Sequence, residues 1–155
     1  MELNQVASGI RFVGSTILKF NIENEEHSII ALQGNERIGI SLDIDVVDIE
    51  HTDNGLLGIL ILSIKTHVHQ STSEEDHDSE FELILQGAFH TKTLPENEFI
   101  QHLYINGGTT LYSLARTLMM QFSASTYQSG KILLPMINMI EFLNEKKKKE
   151  EEKAE

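Results

Sequence analysis

Between residues 38 and 46 apolar and polar side chains alternate without a break. Ile38, Ile40, Leu42, Ile44 and Val46 are interleaved with Gly39, Ser41, Asp43 and Asp45. A period of two sends one set to each face of an extended strand. One face must therefore be covered by something apolar, while the acidic face stays in water. A helix cannot satisfy the pattern, because at about 3.6 residues per turn both sets would spread around the cylinder.

The same logic extends along the first two thirds of the chain. Asp53-Asn54-Gly55 is a hairpin turn signal, and the aliphatic, β-branched run over residues 57–68 follows it, so these two segments are expected to pair antiparallel. Phe81, Leu83, Leu85, Gly87 and Phe89 alternate again, and residues 10–22 supply a first strand with less regular alternation. Four strands in succession, with no helix between them, imply an antiparallel sheet. Residues 71–79 contain Glu74, Glu75, Asp76 and Asp78 and are expected to form a solvated, mobile connection. Leu94-Pro95-Glu96 closes the sheet region, and residues 96–103 suit a short helical crossover.

The pattern then changes to a helical period. Leu111, Leu114, Ala115, Leu118, Met119 and Phe122 form one stripe, with Thr109 or Thr110 as N-cap just after the Gly107-Gly108 pair. Tyr112, Arg116, Met120 and Ser123 lie on a neighbouring face. Met120 and Tyr112 make that face too apolar for plain solvent, so a contact with another subunit is expected there. Pro135 suits the first turn of a second helix carrying Met136, Met139, Ile140 and Leu143. The fold class is thus α+β, a four-stranded antiparallel sheet followed by a long and a shorter C-terminal helix. Residues 1–144 make one domain of ordinary size, and residues 145–155 form a Lys/Glu-rich tail, either a solvated helical extension or a frayed end.

Composition narrows the function. Acidic residues outnumber basic ones 24 to 12, and the tail is balanced in sign, so the excess lies in the body. Such a field repels phosphate backbones and anionic membranes, which argues against a nucleic-acid partner and membrane insertion. The chain has no cysteine, so disulfides, thiolate nucleophiles and sulfur-ligated zinc are excluded. Neither a signal peptide nor an apolar run of spanning length is evident, and a cytoplasmic location is expected.

Chemistry finds little support. His67 and His69 share one side of a strand and His77 stands between Asp76 and Asp78. That is a weak metal pattern, since three or four ligands must converge, and exposed histidines are the simpler expectation. Asp43 and Asp45 lie about 7 Å apart on one strand face, which fits a solubilising surface at least as well as acid–base work. No Gly-x-Ser-x-Gly elbow and no phosphate-binding glycine loop occurs; Gly107-Gly108 serves better as a tight entry to a helix than as an anion-binding turn. No catalytic residue, metal or cofactor is therefore assigned. Every methionine except the initiator falls in the helical block, as Met119, Met120, Met136 and Met139. Methionine is flexible and polarizable and suits surfaces that accept many apolar shapes. Met119 belongs with the core by its spacing, leaving the other three for a binding surface.

Several of these segments resemble the SecB family of export chaperones. Ile40-Ser41-Leu42-Asp43-Ile44-Asp45 is similar to the family's second strand, and Gln86-Gly87-Ala88-Phe89 to the end of its fourth. Leu111-Tyr112-Ser113-Leu114-Ala115-Arg116 resembles the start of its long helix. Pro135 falls the same distance after Arg116 as the family's helix-opening proline, with Asn138 near the expected asparagine. Order and spacing over residues 10–143 carry the resemblance. It implies a homotetramer, a dimer of dimers, that holds unfolded preproteins in apolar grooves without ATP. In a variant, the same fold serves one dedicated client, such as the antitoxin of a toxin–antitoxin–chaperone system. The implied groove is Ile40, Leu42 and Ile44 with Met136, Met139, Ile140 and Leu143; Tyr112, Arg116 and Met120 are the candidates for the subunit contact. The family's acidic docking positions for the translocation ATPase SecA are nearest to Ile17 and Asn21 here, its flexible tail is replaced by Lys and Glu blocks, and Asn106-Gly107 stands where cysteine-proline is frequent. An acidic adaptor of the same architecture is the expectation outside the chaperone class.

Overall fold

The structure is a computed structural model that describes residues 9–24, 36–71, 76–127 and 130–154. Four strands, β1 (Arg11–Asn24), β2 (Arg37–Thr52), β3 (Gly55–Ser71) and β4 (Asp76–Thr91), form one antiparallel sheet in the order β1-β4-β3-β2. The hairpin expected at Asp53-Asn54-Gly55 joins β2 to β3, with Thr52 paired to Gly55.

Each strand is longer than its apolar alternation, because cross-strand polar pairs carry the ladder further. At the distal end His67 pairs with Glu80, His69 with Asp78 and Ser71 with Asp76. The Lys65 ammonium lies 2.9 Å from Glu80 Oε2, and Ser71 Oγ donates to Asp76 Oδ1 at 2.6 Å. Residues 76–79 are therefore strand rather than solvated connection, while Glu74 and Glu75 lie outside the described residues.

Alternation sorts the two faces. Leu60, Leu62, Ile64 and Val68 of β3 and Phe81, Leu83, Leu85 and Phe89 of β4 are fully buried on one face. At roughly 1.5–3 kcal/mol per buried side chain, this face supplies most of the drive to fold. Leu57, Ile59, Ile61 and Ile84 point to the opposite face and are half-buried.

The helices cover the first face. α1 (Glu96–His102) passes through a wider π turn, Leu103–Gly107, directly into α2 (Gly108–Thr126). The expected short crossover and the expected N-cap at Thr109 or Thr110 are thus both corrected to one continuous rod. The Thr109 and Thr110 hydroxyls donate backwards to the carbonyls of Ile105 and Asn106, as residues inside a helix do. Phe99, Leu103, Gly107, Leu111, Ala115, Met119 and Ser123 are all buried, one at every fourth position. A spacing of four drifts around an ordinary α-helix, and the wide turn absorbs part of that drift. The buried stripe therefore includes Ser123 and Tyr112, which the sequence places on a neighbouring face, while Leu114, Leu118 and Phe122 are half-buried flanks. Phe122 stacks on Phe20 with ring centroids 4.0 Å apart and so ties β1 to the rod. Gly58 lies under α1; a Cβ there would stand 2.5 Å from Leu103 Cδ1, so a larger residue would lift the helix off the sheet.

After α2 a non-helical strap runs over residues 130–138 and leads into α3 (Met139–Ala154). Ile132 and Leu134 of the strap are buried, whereas Leu133 is exposed. Three contacts from α2 hold its backbone: Ser123 Oγ accepts the Ile132 N–H at 2.8 Å, Arg116 Nε donates to the Leu134 carbonyl at 2.9 Å, and the Tyr112 hydroxyl donates to the Pro135 carbonyl at 2.7 Å. With its carbonyl taken in this way, Pro135 does not open the second helix. Asn138 caps α3 instead, its Oδ1 accepting the Ile140 N–H at 3.1 Å. Met136 therefore belongs to the strap and not to the helix. The Lys/Glu-rich segment is a helical extension, because α3 continues through Ala154.

Candidate functional site

A groove of about 510 Å³ lies between the rod and α3, next to β2. Ile100, Tyr104 and Ile105 line it from the rod and Leu143 from α3. Gln101, Asp45, Lys146, Lys147 and Glu150 form its polar border. This arrangement suits an apolar segment of another molecule: the lining takes side chains out of water, and the border keeps the mouth hydrated.

Beneath the groove, α3 is seated by close packing. Ile44 and Met139 are buried against Gly108, where a Cβ would approach Ile44 Cδ1 to 2.6 Å. The glycine pair is thus a point of close approach inside a helix rather than an entry to one.

A lysine fixes the rim. Lys146 Nζ donates to the Ile44 carbonyl at 2.8 Å and to Asp45 Oδ1 at 2.9 Å, and lies 2.7 Å from Asp43 Oδ1. Burial by itself pushes the Asp43 carboxyl up, but the Lys146 ammonium and the Ile44 N–H together hold it below the usual carboxylate range. For Lys146, burial pulls down and is outweighed by Asp43 and Asp45, which raise it above the usual lysine range. The α3–β2 contact is therefore charged at neutral pH.

The residues expected in the groove divide into three groups. Leu143 lines it. Ile44 and Met139 are buried support, and Leu42 is half-buried beside them. Ile40, Ile140 and Met136 stay exposed at 41%, 53% and 85%, and Met136 borders a separate, smaller depression with Thr109, Tyr112, Arg116 and Ile137. Ile100, Tyr104 and Ile105 were not anticipated. Their signal is that Ile100 and Tyr104 each follow a member of the every-fourth stripe, Phe99 and Leu103, and so flank the buried face on one side.

Of the residues expected at a subunit contact, Tyr112 and Arg116 hold the strap from within the chain. Met120 is half-buried and, with Ser113, Thr117 and exposed Leu133, lines a depression of about 200 Å³ on the outer side of the rod.

The histidines do not build a site. His67 Nε2 and His69 Nδ1 lie 2.8 and 3.0 Å from the same Asp78 oxygen. His77 is out of phase with Asp76 and Asp78 and faces the other side of the sheet. Among the described residues no group of three or more His, Cys, Asp or Glu is arranged to hold a metal ion. No helix among them is long and apolar enough to cross a membrane.

No protein-family model matches the sequence, and no curated protein matches it. Among solved structures, the chain is similar to the SecB-like chaperone Rv1957 of Mycobacterium tuberculosis, in complex with a ChAD peptide from the Rv1956 HigA1 antitoxin. The TM-score is 0.58 at 10% sequence identity, over 86% of this chain and 94% of that one. The chain has the SecB-like fold: four antiparallel strands, a long helix and a shorter C-terminal helix.

Proposed function

We propose that this protein is an ATP-independent chaperone that holds unfolded polypeptides in its apolar grooves. The observation that carries the reading is the trough formed by Ile100, Tyr104, Ile105 and Leu143 beside β2. The side chains between its polar borders are apolar, which favours binding by burial over recognition of one sequence. A groove of this size receives a few side chains, each contributing roughly 1.5–3 kcal/mol. One groove therefore holds a client weakly, and tight holding requires several grooves on one assembly. A homotetramer, a dimer of dimers, supplies them, with the Met120–Leu133 face of the rod and strap as the subunit contact. The reading places the protein in the cytoplasm and in protein export, with unfolded preproteins as clients. Coupling to SecA has less support, because Ile17 and Asn21 stand where acidic docking residues are expected.

A second reading, a chaperone dedicated to one client, is favoured by a specific observation. The protein of the same fold described above was solved with a peptide from an antitoxin.

A slow-folding reporter diluted from denaturant into equimolar tetramer separates these readings. A general holdase is expected to slow refolding at least severalfold without ATP, and Tyr104→Asp with Ile105→Asp is expected to abolish the delay. No delay with the wild-type protein would rule out a general holdase and leave the dedicated reading, which is checked by titrating candidate client peptides.

A further inference from the structure

β2 is an outer strand of the sheet. In an antiparallel ladder every second residue turns both its N–H and its C=O to the same side. Ile44 identifies the outward set on β2, since neither of its groups is spent on β3. Its N–H is accepted by Asp43 Oδ1 at 2.9 Å and its C=O by the Lys146 ammonium at 2.8 Å. Two residues on, the Val46 N–H reaches the Tyr104 hydroxyl at 3.5 Å. Pairing with β3 runs without irregularity from Arg37 to Val46. Ile38, Ile40 and Leu42 are therefore in phase with Ile44, and their N–H and C=O groups face the open side. No other element among the described residues bonds to them. Their side chains share one face, where Ile38 and Ile40 are 40% and 41% exposed. Among the described residues the edge is thus open over Arg37–Leu42 and closed at Ile44 and Val46.

We propose that Lys146 sets where an extended polypeptide can pair with this edge. Residues 37–42 accept the segment as a fifth strand, and the Lys146 ammonium, standing where that strand's N–H would come, stops the pairing at Ile44. The proposal rests on the chaperone reading and adds the form in which the client is held.

The occupant is an extended client segment with apolar residues at alternate positions. Main-chain bonds to Ile38, Ile40 and Leu42 hold it whatever its sequence, and its apolar residues lie beside the same three side chains. Six strand residues span about 20 Å, enough for a short segment. Continuity argues for a chain that passes onward: Asp45, Tyr104 and Lys146, which lie where the edge closes, also line the apolar groove. A client leaving the edge at Leu42 is delivered to that groove.

The test uses the full chain and a fluorescent, unstructured peptide of alternating leucine and serine flanked by lysines. N-methylation of one alternate set of its residues is expected to weaken binding at least tenfold, and methylation of the other set to leave it unchanged. Amide exchange of the wild-type protein with peptide is expected to slow at Ile38, Ile40 and Leu42 and to remain unchanged at Ile44. Lys146→Met keeps the aliphatic stem, removes the ammonium, and is expected to tighten binding about fivefold, as one or two added hydrogen bonds would. Protection in the bound peptide is then expected to extend by the one amide that reaches the freed Ile44 carbonyl, and Lys146→Arg to restore the wild-type pattern. Peptide binding indifferent to N-methylation would overturn strand pairing, and protection reaching Ile44 in the wild-type protein would overturn the stop even if Lys146→Met failed to fold. A larger mass for Lys146→Met without peptide, by light scattering, would make a second copy the occupant and overturn the proposal. Failure of the wild-type protein to bind any unfolded chain would instead remove the chaperone reading on which it stands.

Discussion

Thr66 is wholly buried on the helix side of β3, opposite Ile40, and its hydroxyl has no hydrogen-bond partner among the described residues. A buried hydroxyl left unpaired costs more than the methyl group that would replace it. Thr66→Val is therefore expected to stabilise the fold by about 1 kcal/mol, measured as a raised urea midpoint at unchanged slope. A lowered midpoint would mean that the hydroxyl is satisfied in solution. At this scale the sequence was only partly legible. The alternation of β2 correctly placed Ile44 on the inner face, but alternation cannot tell a residue that lines a cleft from one buried beneath it. Ile44 and Met139 became support because Gly108 lets them close on the rod. Met136 was misplaced because a proline followed by apolar residues looks the same whether it opens a helix or lies within an extended strap. The difference lies in hydrogen bonds from Tyr112 and Arg116, more than fifteen residues away in sequence.

The strands were legible as elements because a period of two over several residues has no competing interpretation. Their ends were not, since Asp76, Asp78 and Glu80 look solvated until His67, His69 and Lys65 are set opposite them. In the sequence the rod reads as two pieces because Asn106-Gly107-Gly108 has poor helix propensity. Tertiary packing overrides that propensity, as the buried series from Phe99 to Ser123 runs straight through the glycines. At the start of α3 the decisive residue is Asn138. Asn138→Ala removes the cap and is expected to cost about 1 kcal/mol. Faster amide exchange confined to the first turn of α3 would report it; unchanged exchange there would show that packing of Met139 and Leu143 alone defines the helix start.

For the whole molecule, the decisive question is how many copies assemble. The rod and strap leave Leu133 and Met136 at 62% and 85% exposure, with half-buried Met120 next to Leu133, a set of apolar side chains that a subunit contact would cover. Light scattering is expected to give the mass of four chains for the wild-type protein. Met120→Glu is expected to halve that mass or reduce it to one chain with helical circular dichroism intact; a monomeric wild-type protein would refute the proposed assembly. The sheet also carries a safeguard against uncontrolled growth. Its ladder irregularities fall between Phe12 and Gly14, between Ile17 and Lys19, and between Val46 and Asp48, all in pairings that involve an outer strand, while the inner pair β3–β4 has none. A protein that shows Val13, Leu18 and Val47 to solvent could seed fibrils from either rim. These three residues are the ones displaced from the ladder, so each rim is kinked where it is greasiest, which opposes continuous edge-to-edge stacking of successive sheets and leaves Arg37–Leu42 as a short regular stretch of open edge.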